Sequence, residues 1–383
     1  MGGDGRCNTL LTSLDNAKWD SIAQKRKVFG EASFLRAYYY FDLARLFGQV
    51  PLVTNPLPVN NPKATPEELY GQIALDLKNA IDSIPAKSFM PENIGRATKW
   101  SAEALMARVF LFYTGYYNKT VITLPGTAGT ITKQQVIGWV DDCVTKSGHV
   151  LVADFRNQWP YTISGDNYPY VKNNSLSWVG DAGGNKENIF NVRYMAMATT
   201  DWGEKVYYSN QFNIMCGQRY GTAQVPIGHG WGMCPVNPKL YDEWSSMDLR
   251  KQGSIFNVND AAEGIETFNM GADMQWQETG YIGKKYVPIN IVYNAKKVNW
   301  SVMKYGAEDN FQINNTQDIV VIRLADVLLM GAELGSSRAQ NYMDMVRTRA
   351  GLTSVAVSLD NIKLERRHEL AFEGIRYFDL LRW

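Results

Sequence analysis

Hydrophobic positions recur at helical spacing in the first 150 residues of the chain and again after residue 318. The segment 31–47 is apolar on nearly every side, and Gly48 and Pro51 end it. A helix without a polar face is usually buried between other helices. The pattern therefore predicts a central helix whose tyrosines at positions 38–40 belong to the core, with Arg45 paired to Asp42 three residues earlier.

Further helices are predicted from capping signals and from apolar stripes. Thr65 and Thr132 each open a capping box. The predicted helix starts at residues 31, 66, 98 and 133 are spaced close to the ~34 residues of a tetratricopeptide repeat. Each unit holds one helix and a long connection, so the spacing alone indicates only successive helices packed as antiparallel pairs. Towards the chain end, helices are predicted at 319–334, 339–350 and 360–383.

The middle of the chain lacks helical periodicity and is rich in Gly, Asn and aromatic residues. This composition predicts loops with short strands, and one helical piece at 238–252. We expect one domain over residues 1–383. It comprises a helical frame at 1–150 and 319–383 and a loop-rich region at 151–318, and the sequence patterns at both ends look truncated.

Composition and motif content argue against several classes of function. The formal net charge is +1, which gives no sign of nucleic-acid binding. The sequence contains no run of about 18 apolar residues, so no membrane-spanning helix is predicted. Cys7, Cys143, Cys216 and Cys234 form no CxxC pair, so we interpret them as free or buried thiols and expect no structural zinc. The three histidines form no HExxH, and no GxSxG or phosphate-binding loop is present. We expect no cofactor, no metal and no catalytic activity.

Three stretches, taken in order, resemble the SusD/RagB family of glycan-uptake surface lipoproteins. The first is GEASFLRAYYYFDLARLFGQVPLV (30–53). The second is VVIRLADVLLMGAEL (320–334), followed by VRTRAGL (346–352). The third is ERRHELAFEGIRYFDLLRW (365–383). The resemblance covers most of the chain.

The resemblance implies a mainly α fold, a scaffold of four tetratricopeptide-like helix pairs with an irregular, loop-rich middle. It also implies a non-catalytic protein that captures an oligosaccharide and delivers it to a TonB-dependent transporter of the SusC type. The expected location is the surface face of the cell outer membrane. Attachment there would be through a lipid anchor only, and neither signal peptide nor lipidated cysteine is seen in this chain.

Glycan binding calls for flat rings against the C–H faces of sugars and planar polar groups for their hydroxyls. Three stretches of the middle region combine both with glycine: TTDWGEKVYYSNQFN (199–213), GHGWGM (228–233) and DMQWQETGYIGKKY (273–286). Each ring could instead pin its loop to the frame. The candidate ligand residues are Trp202, Tyr207, Tyr208, Asn210, Trp231, Trp276, Gln277 and Tyr281.

Two other functions stay open on the sequence. A glycoside hydrolase needs two carboxylates about 5–10 Å apart. Glu365, Glu369 and Glu373 share one helical face, but we interpret them as ion-pair partners of arginines, with Asp379 near Arg376. A helical-repeat scaffold that binds only protein would suit both ends of the chain but not its aromatic middle. Trp100 and Trp244 lie in helical patterns and are predicted to be core residues, and His229, in a glycine-rich loop, is predicted to be a hydrogen-bonding residue.

Overall fold

A computed structural model describes residues 2–56, 60–180, 184–196, 208–219, 224–265 and 278–383. Within them the protein is mainly α-helical with short strands, as the sequence predicts. The N-terminal part contains α1 (Gly3–Ser13), α2 (Ile22–Phe47), α3 (Pro66–Ser83), α4 (Lys99–Tyr116), the hairpin β1 (Val121–Thr123) and β2 (Thr130–Thr132), and α5 (Lys133–Lys146).

The predicted helix starts at Thr65 and Thr132 are confirmed. Both threonines accept the backbone N–H of the third helical residue, and that residue's side chain accepts the cap's own N–H. Thr98 forms the same reciprocal pair with Ser101 at the start of α4. Helix α2 begins nine residues before the predicted start at 31, because Ser21 caps it by accepting Gln24 N–H.

The loop-rich region contains several short elements and short 3-10 turns. The predicted helix at 238–252 is two helices, since Trp244 has an extended backbone between them. The elements in this region are α6 (Pro169–Asn173), β3 (Asn188–Val192), α7 (Gln211–Cys216), α8 (Pro238–Glu243), α9 (Leu249–Ser254), β4 (Ile255–Asn257), β5 (Tyr281–Gly283), β6 (Asn290–Tyr293), β7 (Lys296–Asn299) and α10 (Trp300–Tyr305). Strands β4 and β5 pair antiparallel, as do β6 and β7.

Two predictions for the chain end are wrong in detail. The run 319–334 begins as the strand β8 (Ile319–Arg323), which pairs antiparallel with β3, and only then continues as α11 (Leu324–Leu334). The predicted helix at 360–383 is broken, because Phe372 and Gly374 have left-handed backbones with φ of 66° and 74°. The remaining helices are α12 (Ala339–Arg349), α13 (Leu359–Glu369) and α14 (Arg376–Arg382).

Neighbouring helices of the frame pack against each other in sequence, from α2 through α3, α4 and α5 to α11. Their shared core includes Tyr40, and Tyr38 packs partly buried against it. Tyr39 is 36% exposed, and Phe47 at the end of α2 is 69% exposed. The prediction of a helix enclosed on all sides, with three core tyrosines, is therefore wrong for Tyr39 and for the last turn. None of the helices in the described residues is both long and apolar enough to span a bilayer.

Polar side chains on α2 find partners within the frame. Arg45 donates to Asp42 at 2.9 Å, as predicted. Arg36 makes a two-bond pair with Asp76 of α3, with nitrogen–oxygen distances of 2.6 and 2.7 Å. Because both are buried, this pair fixes the position of α2 on α3 more tightly than apolar contact alone.

The loop-rich region has a hydrophobic core of its own. Its centre consists of buried aromatic rings, among them Trp159, Tyr161, Tyr286 and Trp300. A smaller cluster around Trp244 joins the region to residues 371–372. Trp100 and Trp244 are 3% and 1% exposed, so both predictions of core positions are confirmed. Much of the aromatic content of the middle region therefore serves packing.

A buried ion cluster joins the loop-rich region to the frame. Glu369 of α13 accepts hydrogen bonds from Arg250, Arg323 and Arg349. Burial by itself raises the pKa of Glu369, but the adjacent guanidinium groups hold that pKa well below its usual range. Five carboxylates and five basic groups make up the cluster: Glu187, Asp248, Glu365, Glu369, Glu373, Arg250, Lys285, Arg323, Arg347 and Arg349.

The cluster confirms the interpretation of Glu365, Glu369 and Glu373 as ion-pair partners. A second buried set lies beside it, in which Arg366 donates to Asp326 at 2.7 Å and to Asp379 at 2.8 Å. The hydrogen bonds to Asp379 come from Arg366 and Arg382, and not from the predicted partner Arg376.

We expect Arg323→Met to lower the free energy of unfolding by about 3–5 kcal/mol, because Glu187, Glu369 and Glu373 would each keep a buried charge with one cationic partner fewer. Urea denaturation followed by circular dichroism measures the loss. Arg96→Met is the matched control, since Arg96 is half exposed and its pair with Glu31 should contribute less than about 1 kcal/mol. Equal losses in the two variants would contradict a stabilising role for burial of the cluster.

A lone buried acid lies in the frame. Glu103 of α4 has no exposed surface, and within the described chain neither of its carboxylate oxygens has a hydrogen-bond partner. The nearest cation is Lys99, with its Nζ 3.8 Å from Oε1. Burial raises the pKa of Glu103 to about 8, with the charge of Lys99 opposing that rise. Between the ordinary pKa of 4.5 and this raised value, the Glu103 carboxyl is protonated in the folded protein and ionised in the unfolded chain.

The raised pKa of Glu103 determines the direction in which the stability of the fold changes with pH. The contribution of protonated Glu103 is complete below the unfolded pKa of 4.5 and is lost as pH rises through about 8. We expect Glu103→Gln, which stays neutral, to gain about 2–4 kcal/mol over the natural protein between pH 5 and pH 9. Urea midpoints at the two pH values measure the difference. Parallel pH profiles would show that Glu103 is ionised in the fold.

Candidate functional site

The three stretches singled out in the sequence meet in the loop-rich region. Trp202, Tyr207, Trp276 and Gln277 lie outside the described residues. Those that the structure places are Tyr208, Asn210, Trp231 and Tyr281.

Backbone hydrogen bonds join residues 214–218, which directly follow the first stretch, to the second stretch. The N–H of Trp231 donates to the Ile214 carbonyl at 2.8 Å, and the N–H of Gly230 to the Gln218 carbonyl at 2.6 Å. The segments run so close that a Cβ on Gly230 would lie 2.3 Å from the Ile214 oxygen. Glycine is therefore required at position 230 for the approach of two backbones, and Gly232 on the other side of Trp231 has a left-handed backbone with φ of 64°.

Val236, shortly after the second stretch, is joined to the third stretch in the same way. The N–H of Val236 donates to the Tyr281 carbonyl at 3.0 Å, and the Thr279 hydroxyl donates to the Val236 carbonyl at 2.7 Å. A narrow cleft lies where the three stretches meet. Its walls are formed by Cys216, Gln218, Gly232, Cys234, Pro235 and residues 278–282.

The described aromatic residues differ in what they offer a ligand. Tyr208 is 44% exposed, and Trp231 is half-buried. Tyr281 is half-buried and stacks on Tyr241, with ring centroids 4.4 Å apart and planes at 27°. The Lys251 ammonium lies 4.0 Å from the centroid of the Tyr241 ring, which also stacks on Tyr281. Tyr281 can therefore present one face to a sugar, while its other face is held by the protein.

Asn210 is fully buried and binds within the protein. Its Oδ1 accepts the N–H groups of Phe212 and Asn213 at the start of α7, and its Nδ2 donates to the Gln317 carbonyl at 2.8 Å. The residue thus caps α7 and ties that helix to the chain just before β8. This placement points to a supporting role for Asn210 beneath the candidate site.

The loop between β4 and β5, which carries the positions 276 and 277, has a buried anchor at its base. The Lys284 ammonium donates to both carboxylate oxygens of Glu263 at 2.9 Å. The Tyr170 ring centroid lies 3.9 Å from the same ammonium. Burial lowers the pKa of Lys284 to about 8, although the charge of Glu263 opposes the change. The pair fixes the two ends of this loop close together.

A second concavity, with a volume of about 260 Å³, is lined in part by the segment that carries Trp231. One wall is His229, whose ring stacks on Phe311 at a centroid distance of 4.0 Å and an angle of 10°. Asn314 also lines it and is 2% exposed, and in the described chain its Oδ1 has no hydrogen-bond partner. The remaining lining residues are Pro288, Asn290, Lys297, Val298, Asn299 and Asp309.

Sequence reasoning missed this concavity. A planar ring and several amides line it, which is the combination sought for sugars. The amide-rich run FQINNTQD (311–318) was a usable signal, but its residues lie far along the chain from His229. Along the chain, Trp231 lies between His229, which lines the concavity, and Gly232 and Cys234, which line the cleft.

A larger cavity of about 510 Å³ lies on the frame, between the chain before α3 and the strand β1. Its walls are mainly apolar, and its acids are already used: Glu68 completes the cap of α3, and Glu67 pairs with Lys119 at 2.9 Å. The cavity shares no residue with the three stretches. We therefore place the candidate site at Trp231. Among the described residues, no group of three or more His, Cys, Asp or Glu side chains is arranged to hold a metal ion.

Asn210→Ala should lower the free energy of unfolding by about 2–4 kcal/mol, since it removes the cap of α7 and leaves the buried Gln317 carbonyl without its donor. The matched control is Asn237→Ala, which removes the exposed cap of α8 and should cost about 1 kcal/mol or less. Chemical denaturation of both variants measures the difference. A loss for Asn210→Ala no larger than that of the control would show that the hydrogen bond from Asn210 to the Gln317 carbonyl does not stabilise the fold.

Comparison with known proteins gives consistent matches. The model described as "SusD family" matches residues 186–383, and one described as "Starch-binding associating with outer membrane" matches residues 6–111. A curated SusD-like protein P2 of Formosa agariphila is 26% identical, over 98% of this chain and 67% of its own length. The starch-binding protein SusD of Bacteroides thetaiotaomicron is 24% identical, over 97% and 66%. The chain spans about two thirds of the length of these curated relatives.

Solved structures agree in fold. A laminarin binding SusD-like protein superposes with a TM-score of 0.76 at 30% identity, covering 99% of this chain and 75% of the other. Surface glycan-binding protein A from Bacteroides thetaiotaomicron, solved with laminarihexaose, superposes with a TM-score of 0.75 at 22% identity, covering 99% and 74%.

Proposed function

The chain belongs to the SusD family, and on that premise we propose that it is a non-catalytic surface protein that binds a glycan at Trp231 and its surroundings. The observation that carries this proposal is that one segment, residues 228–236, is joined both to the residues directly after the first aromatic stretch and to the third stretch. Rings with one face already held, and amides at the wall of a concavity, suit the alternating apolar and hydroxyl surfaces of a sugar.

We further propose that the bound oligosaccharide is delivered to a TonB-dependent transporter of the SusC type in the outer membrane. A lipid anchor would hold the protein at the cell surface. Support comes from the family match whose description includes association with the outer membrane. Co-purification of a TonB-dependent transporter with this protein from outer membranes tests the partnership.

Laminarin-type glucans are the first ligands to test, because the solved relative at 30% identity is named as laminarin binding. Xyloglucan and starch belong in the same panel. Isothermal titration on the whole chain, with reducing-sugar release measured alongside, separates the three functions. Saturable binding without release supports the proposal. Release of sugar would favour a hydrolase, and capture of protein alone would favour a scaffold.

The hydrolase alternative has little structural support in the described residues. The carboxylates that share one helical face, Glu365, Glu369 and Glu373, are buried and paired with arginine or lysine. An acid so paired is not available to protonate a glycosidic oxygen.

We expect Trp231→Ala to keep the fold and to weaken glycan binding roughly tenfold, through the loss of one stacking surface. Trp202→Ala and Trp276→Ala, at positions outside the described residues, are tested in parallel, and at least one of the three should weaken binding. Titration measures the affinity, and circular dichroism the fold.

Trp139→Ala is the matched control, because Trp139 is also partly buried but packs against the frame core. Its glycan affinity should equal that of the unaltered chain. If all three candidate variants unfold, or if each binds as tightly as the control, the placement of the site at Trp231 is wrong.

A further inference from the structure

Two cysteines meet at the cleft beside Trp231. The N–H of Met233 donates to the Met215 carbonyl at 2.8 Å, which places these two residues side by side. The next residue along each segment is a cysteine: Cys216 ends α7, and Cys234 follows Met233. Both side chains line the cleft and are hydrogen-bonded to each other, and both are free thiols in this structure.

The two thiols are not equivalent. The hydrogen bond donated by Cys216 lowers the pKa of the Cys234 thiol to about 7, and the same bond, together with burial, raises the pKa of Cys216. Cys234 is exposed, whereas Cys216 is partly covered. Glu278 lines the same cleft. An exposed sulfur with thiolate character beside a covered thiol is the arrangement of an attacking and a resolving cysteine.

We propose that Cys216 and Cys234 form a disulfide that fastens the segment bearing Trp231 to the end of α7. The bond itself does not depend on the proposed function. Its effect on ligand binding does, because the fastened segment carries the ring assigned to the glycan.

The oxidant is a disulfide, either a small one such as oxidised glutathione or that of a thiol–disulfide oxidoreductase. The Cys234 thiolate attacks one sulfur of the oxidant, forming a mixed disulfide and releasing one thiol. Cys216 then loses its proton to solvent and attacks the Cys234 sulfur, which releases the second thiol. Two electrons pass from the protein to the oxidant; the two protein thiols give their protons to solvent, and each departing thiolate takes up one proton from solvent.

The other cysteines provide an internal comparison. Cys143 is buried in α5, where its thiol donates to the Trp100 carbonyl at 3.7 Å, and burial raises its pKa well above the usual value. Cys7 is buried on α1, and burial raises its pKa as well. Thiols of this kind react slowly with disulfides. Oxidation should therefore be selective for the pair at the cleft.

The test uses the whole purified chain, treated with oxidised glutathione under native conditions and then digested without reductant. Mass spectrometry should find one cross-link, between the peptides holding Cys216 and Cys234, in a monomeric protein. The melting temperature should rise by roughly 2–4 °C and fall back on addition of reductant. Cys216→Ser and Cys234→Ser should each abolish the redox-dependent shift.

Three results would overturn the inference: a stable glutathione adduct at Cys234, a cross-link between two chains, or four titratable thiols remaining after treatment. None of these readouts requires a glycan. A cross-link that forms in a protein that binds no glycan would therefore refute the proposed function and leave the disulfide standing. If both hold, the oxidised protein should release a bound laminarin oligosaccharide more slowly than the reduced protein, and an equal release rate would refute the link between them.

Discussion

The charge balance of the buried ion cluster is the constraint on which the rest of the structure depends. Nine of the ten ionisable side chains in the cluster lose nearly all contact with water, and each such loss is costly unless an opposite charge compensates it. Arg250 and Lys285 come from the loop-rich region, whereas Arg323 and Glu369 come from the frame. Neither part can leave the other without exposing unpaired partners, so the cluster selects one arrangement of the two.

This constraint determines where irregular backbone can carry a binding site. The strand pair β3–β8 closes the base of the loop-rich region, and Asn210 ties α7 to the residues just before β8. From there outward, main-chain hydrogen bonds link residues 214–218, 228–236 and 279–282. The segment of Trp231 thus has few helical or strand residues yet is held on both sides. Such support is what keeps rings on loops in a fixed geometry.

The helices of the frame could be predicted because their signals are local in the sequence. The strand β8 and the arrangement of the candidate site could not, because they depend on contacts between distant residues. Capping residues such as Thr65 and Thr132 act within four residues, so their helices were found at the right place. The apolar run 319–334 was ambiguous, because β-branched residues pair as a strand only where a partner such as β3 is present. The contacts of Ile214 with Trp231 and of Val236 with Tyr281 join segments that no periodicity connects. The candidate rings were therefore identifiable, but their meeting place, the His229 concavity and the cysteine pair were not.

Pre-organisation connects these features to the proposed glycan binding. A sugar that stacks on a freely moving ring must pay for ordering that ring, which removes much of the gain from contact. Tyr281 avoids this cost because Tyr241 already holds one of its faces. Trp231 is positioned by its backbone, through the bond to Ile214 and the glycines beside it. A covalent bond at Cys234, three residues further along, would limit the remaining freedom of the same segment. Local contacts thus order the residues around the cleft, and the ion cluster holds the loop-rich region that carries them in a fixed position on the frame.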